Sequence, residues 1–170
     1  MRRGAIIGVL ASGLVAGVAG AETEAASWGI GIRPAHPEDS AGLGEGVDVT
    51  AVVLNERTGQ PAAVVEQADT LRLVAQVAAV PGAGARKLRL TCTVDFVGAD
   101  GVQSEATEGP CFSGSLGGAA VGPKRLNLTL RFQPSPEDLA GTAGIKLHLW
   151  DAETGDEAIV VPTYEWRGGR

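Results

Sequence analysis

Four carboxylates crowd into one short stretch of this chain, at Asp151, Glu153, Asp156 and Glu157. Hard oxygen donors at that density are the ligands calcium takes. Gly155, however, falls at the wrong place for an EF-hand loop, and acidic tips of this kind are common on hairpins. Calcium at these four residues therefore stands as a secondary expectation, behind no metal at all. Transition metals want clustered His, Cys or Met donors. The chain has two distant histidines, His36 and His148, and its one methionine is Met1. No motif asks for a cofactor, and none is expected.

Hydrolytic catalysis needs a nucleophile held beside a base that a third group orients. Ser113-Gly114-Ser115-Leu116-Gly117 imitates GxSxG but has a serine where the first glycine belongs, and no helical pattern follows it. Nothing in the spacing ties Ser115 to His36 or His148. Gly82-Ala83-Gly84-Ala85-Arg86-Lys87 lacks the GxxxxGK[ST] spacing and leads into a strand, so it offers phosphate no helix N-terminus. No catalytic residue is assigned, and enzymatic activity is not expected.

The two cysteines, Cys92 and Cys111, have neither CxxC spacing nor a nearby histidine. In an exported chain they most simply make one bridge. Export is the expectation from the first residues: Arg2 and Arg3, an apolar run over Gly4–Val18, and the small residues Ala19-Gly20-Ala21 have the pattern of a cleaved signal peptide spanning 1–21. The run is short for a bilayer span, so no membrane span is expected after cleavage. The formal net charge is −6, and removing two arginines with the signal leaves −8. Nucleic acid demands a basic footprint, so it is not expected as a partner.

These groups need elements to hold them. Lys87–Phe96 alternates without error, with Leu88, Leu90, Cys92, Val94 and Phe96 on one face and polar residues on the other. A period of two is a strand with one side buried. The same pattern predicts strands over Val47–Leu54, Leu71–Ala79 and Arg125–Phe132, and a final hairpin of Ile145–Trp150 with Ala158–Trp166. Ala62–Val65 is expected to run back along the Val47 strand, and Val102–Phe112 beside Lys87–Phe96. A two-residue Asp100-Gly101 turn would set Cys92 opposite Gly109 rather than Cys111, so a bridge across that hairpin calls for a bulge or a wider loop, expected around Gly109-Pro110.

Ser27–Pro34 reads as an edge strand and Ala35–Gly46 as a mobile loop, within a lead-in over 22–46. Ser135-Pro136-Glu137-Asp138 carries helix-start residues and predicts a single helical turn. VLNERTGQPAAVV and LWDAETGDEAIVV share a Thr-Gly turn, read as one hairpin solution used twice. The whole predicts an all-β, immunoglobulin-like sandwich of about 7–9 antiparallel strands over 47–167, with 168–170 as a tail.

At this point the chain resembles the broad class of exported bacterial immunoglobulin-like modules. The resemblance spans roughly 27–167 and rests on GIRPAHPED with a loop before VTAVVLN, and on FQPSPEDLAGTAGIKLHLWD. The second stretch looks like the corner before a late strand in such sandwiches, with Thr142 and Ala143 where a tyrosine often sits. The likeness implies a fold and carries no site.

The last hairpin supplies the candidate surface. With Thr154-Gly155 at its centre, Trp150 is expected to face Ile159 and His148 to face Val161. Lys146, His148, Trp150, Ile159, Val161 and Thr163 then share the outer face, while Leu147, Leu149, Val160 and Tyr164 line the core. Such a semi-apolar patch is expected to be covered, either by the chain's own Trp28, Ile30 and Ile32 or by a partner. The functional expectation is a non-enzymatic binding or accessory module, periplasmic or extracellular, meeting an envelope protein through Lys146, His148, Trp150, Ile159 and Val161 or through an unpaired edge strand. The alternative is a carbohydrate-binding module using Trp150, with Trp28 or Trp166.

Overall fold

The computed structural model describes residues 35–119 and 122–168. The expected signal peptide and the expected edge strand at Ser27–Pro34 lie outside them, as does most of the C-terminal tail. Eleven strands follow in order: β1 (Glu38–Gly42), β2 (Val47–Asn55), β3 (Val64–Val65), β4 (Leu71–Ala79), β5 (Arg86–Val97), β6 (Gln103–Leu116), β7 (Lys124–Arg125), β8 (Leu130–Phe132), β9 (Gly141–Asp151), β10 (Glu157–Val160) and β11 (Thr163–Trp166). They form two sheets. One runs β1-β2-β4 and then meets β7 and β8 along the far edge of β4; the other runs β3-β11-β9-β5-β6, with β10 beside β9. This is an all-β sandwich of two sheets.

Alternation decides which faces meet. Val47, Val49, Ala51 and Val53 of β2 join Leu71, Leu73, Ala75 and Val77 of β4 on the inner side of one sheet. Leu88, Leu90, Cys92 and Val94 of β5 oppose them from the other, beside Ile145, Leu147 and Leu149 of β9. Of the nine strand pairings among the described residues all but one are antiparallel; β3 runs parallel to β11, with Glu165 opposite Val64. The expected strand count is exceeded because three expected strands break in two or gain a companion.

The corrections have local causes. Ala35–Gly46 is not a loop throughout, since β1 pairs with β2 over Glu38–Gly42. Arg125–Phe132 is not one strand: the Asn127 N–H donates across to Cys111 O of the opposite sheet at 2.7 Å, so the chain leaves β4 between β7 and β8. Ala62–Val65 begins to return along β2, with Pro61 bridged to Leu54. It then crosses to β11, because Glu165 and Arg167 donate to Ala63 O and Val65 O. Pro162 divides the last return strand into β10 and β11.

No helix forms at Ser135. The capping contacts are present, with Ser135 N–H on Asp138 Oδ2 (2.7 Å) and Glu137 N–H on Ser135 Oγ (3.3 Å). Asp138 O, which a continuing helix would need as an acceptor, instead takes the Trp166 indole N–H at 3.2 Å. The segment stops at a turn.

Candidate functional site

The Cys92–Cys111 bridge is formed, with Cα atoms 5.7 Å apart. Cys92 stands opposite Gly109, and the register shifts between Leu90 and Thr91, which face Phe112 and Pro110. Cys111 is therefore the extra residue of a bulge, as the turn arithmetic requires. Its side chain points inward, where both cysteines are buried.

Every carboxylate of the acidic hairpin tip has a basic side chain of the chain's own beside it. Arg86 Nη2 lies 3.1 Å from Asp151 Oδ2 and 2.6 Å from Asp156 Oδ2, and Thr154 Oγ1 bonds both acids at 3.0 and 2.7 Å. Glu153 sits 3.6 Å from Arg89 Nε, and Glu157 3.3 Å from His148 Nε2. Among the described residues no group of three or more His, Cys, Asp or Glu converges as metal ligands would. The four candidates thus point to three different basic side chains, Arg86, Arg89 and His148. Calcium at a few mM, about 1–10 mM, is expected to leave the melting temperature unchanged, since an ion would first have to displace Arg86; a rise on differential scanning would contradict this.

Arg86 fastens more than the tip. Its Nη1 donates to Leu43 O and Glu45 O in the β1–β2 turn, so one guanidinium ties that turn to the β9–β10 hairpin. Gly44 lies under it with φ +60°, where a Cβ would collide with the Asp156 carboxylate; only glycine fits. Burial pushes the Asp151 carboxyl up, but the amides of Arg89 and Glu153, the Thr154 hydroxyl and Arg86 together hold it below its ordinary value. The Thr154 hydroxyl and then Arg86 lower Asp156 too. A cavity of about 710 Å³ opens beside this cluster, but Arg86 and Asp156 in its lining are already spent on each other.

The serine motif is not a nucleophile elbow. Ser113 and Ser115 lie inside β6, opposite Arg89 and Lys87. His148 is level with Thr93, six residues further along β5, or about 20 Å at a rise of ~3.3 Å per residue. His36 is elsewhere again, its backbone bonded to Thr163.

The outer face of the last hairpin is as expected, with a shifted register. Trp150 pairs with Glu157 and His148 with Ile159, two residues from the expected partners. A slip of two preserves every face. Trp150 and Ile159 are 45 % and 41 % exposed, and Lys146, His148 and Val161 are half-buried beside them. Thr163 is not on this surface: it is buried, held by His36. Thr91 and Thr93 of β5, level with Trp150 and His148, extend the face toward β6. Trp166 is buried in the core, so it cannot join Trp150 in a sugar-stacking platform, and Trp28 lies outside the described residues.

The edges are less inviting than the face. β6 carries Pro110 and two register shifts, and Cys111 O is already taken by Asn127. Such devices blunt an edge against added strands. β1 is short and acidic, and its Asp39 Oδ2 accepts the Val161 N–H at 2.6 Å.

No protein-family model and no curated protein matches the chain. Among solved structures it is similar to Pseudomonas fluorescens alkylpurine DNA glycosylase AlkC bound to DNA containing an abasic site analog. The TM-score is 0.38 at 12 % identity, over 78 % of this chain and 31 % of that one. The chain thus spans about a third of that protein, and a likeness at this level carries no argument about activity. Among the described residues no helix is long and apolar enough to cross a membrane.

Proposed function

We propose that this chain is an exported, non-enzymatic binding module of the bacterial envelope, meeting a protein partner on the outer face of the β9–β10 hairpin. The observation that supports the reading is the adjacency of Trp150 and Ile159, two large apolar side chains each more than two-fifths exposed. They sit diagonally across one strand pair, within reach of each other. An exposed tryptophan with an aliphatic neighbour and a mixed polar rim is the composition of a binding hot spot. The buried bridge suits an oxidising compartment, periplasmic or extracellular.

Trp150→Ala is the informative variant. It removes surface rather than core, so its unfolding free energy in urea is expected within about 1 kcal/mol of the parent. Crosslinked capture from the envelope fraction of the producing cell, read by mass spectrometry, is then expected to lose its dominant protein partner. Equal capture by the parent and a folded Trp150→Ala protein would remove this face from the reading.

A further inference from the structure

At the end of the sandwich near the β5–β6 turn lies a cavity of about 370 Å³, a size that suits a small ligand. Its wall is aromatic. The rings of Phe96 and Phe132 are 5.0 Å apart, and those of Phe132 and Tyr164 6.1 Å. Its charge is of one sign: Asp100 and Asp138 line it, and no lysine, arginine or histidine does.

Neither aspartate is spent. Asp100 Oδ1 takes the Val102 N–H at 3.0 Å and Asp138 Oδ2 the Ser135 N–H at 2.7 Å, which leaves the second oxygen of each without a donor among the described residues. Neither enters an ion pair with a described residue. Tyr164 is only 5 % exposed, and its hydroxyl makes no hydrogen bond to a described residue. Burial, and then the charge of Asp138, push that phenol up, so it stays protonated near neutrality. The hydroxyl oxygen still reaches solvent at the cavity, where a ligand donor can meet it.

We propose that this cavity binds a small organic cation, a primary ammonium carried on a ring-sized apolar body. The body fits among the aromatic walls, where offset or edge contacts favour a ring. The ammonium has three donors. Tyr164 Oη and the free oxygens of Asp138 and Asp100 are the acceptors available to them, and the ring faces add cation–π attraction. An anion meets two carboxylates, and a neutral ring gains no charge attraction from them. The site does not involve Trp150, so it stands or falls apart from the proposed partner face.

The test is a titration of the oxidised protein with benzylammonium, benzyl alcohol and benzoate, followed by amide chemical shifts. Benzylammonium is expected to saturate with shifts around Gly98–Val102, Ser135–Asp138 and β11. Benzyl alcohol should bind roughly fivefold or more weakly and benzoate not at all. Asp138→Asn keeps an acceptor for Ser135 N–H and should weaken benzylammonium roughly fivefold to tenfold. Tyr164→Phe should weaken it about threefold, and Trp150→Ala should leave it unchanged. No benzylammonium shifts up to about 20 mM, a millimolar-range limit for so small a ligand, would overturn the proposal. So would equal binding of the alcohol, or an affinity unmoved by Asp138→Asn. If either cavity variant fails to fold, the charge series on the parent protein decides alone.

Discussion

Asp151→Ala is expected to cost about 3–5 kcal/mol of unfolding free energy, the largest loss from any polar side chain described here. Asp151 is fully buried, and it accepts from Arg89 N–H, Glu153 N–H, Thr154 Oγ1 and Arg86 Nη2. Alanine strands the Arg89 and Glu153 amides and leaves Arg86, itself four-fifths buried, with Asp156 as its one remaining carboxylate. Asp151→Asn keeps an oxygen for the two amides and should lose about half as much. Urea unfolding measures both, and a loss below about 1 kcal/mol for the alanine variant would show that the cluster is solvated in solution. The same residue sets an acid limb. Its carboxyl is held below the ordinary 3.8 in the folded protein, so the unfolded chain takes up the proton first as pH falls. The stabilisation is therefore complete above about pH 5 and drains away as pH drops through the folded value. Asp156 contributes to the same limb with the same sign. In Asp151→Ala the fall in stability between about pH 5 and pH 2 should be shallower than in the parent.

Loss of the bridge is expected to cost about 3 kcal/mol in Cys92→Ala/Cys111→Ala, from a loop whose ends are 19 residues apart. Most of that loss comes from the unfolded chain, which regains the freedom the link denied it. A smaller part comes from packing, since both sulfurs are buried between the sheets. The unfolding midpoint in urea should drop for the double variant, and the slope should rise slightly, because the unlinked denatured chain expands and exposes more surface than the crosslinked one. An unchanged midpoint would mean that the hairpin is pinned by pairing alone.

What the sequence revealed follows from how local each cause was. β5 was legible over Lys87–Phe96 because ten residues of alternation leave one face for the core, and the structure extends it by one residue at each end. β4 was legible to the residue over Leu71–Ala79. The repeated Thr-Gly turn also holds: Gly59 and Gly155 have φ +68° and +78°, and each donates back to the residue four before it, Asn55 and Asp151. Failures came where a distant group took over. Asn127 was read as mid-strand, yet its amide belongs to Cys111; Asp138 was read as opening a helix, yet its carbonyl belongs to Trp166. The candidate face survived its register error because two residues is one full strand period. Arg86 was missed as the keeper of the acidic tip because 65 residues separate it from Asp151. The aromatic cavity joins residues from β5, β8 and β11, and no pattern within one segment announces it.

The bulge at Cys111 also bears on how the chain reaches this structure. Were β6 to slip by one residue against β5, Cys111 would point to the outer face, across the sheet from Cys92. The sulfurs meet only after the correct alignment exists, so oxidation works as a proofreading step that seals the right hairpin and leaves slipped ones open to try again.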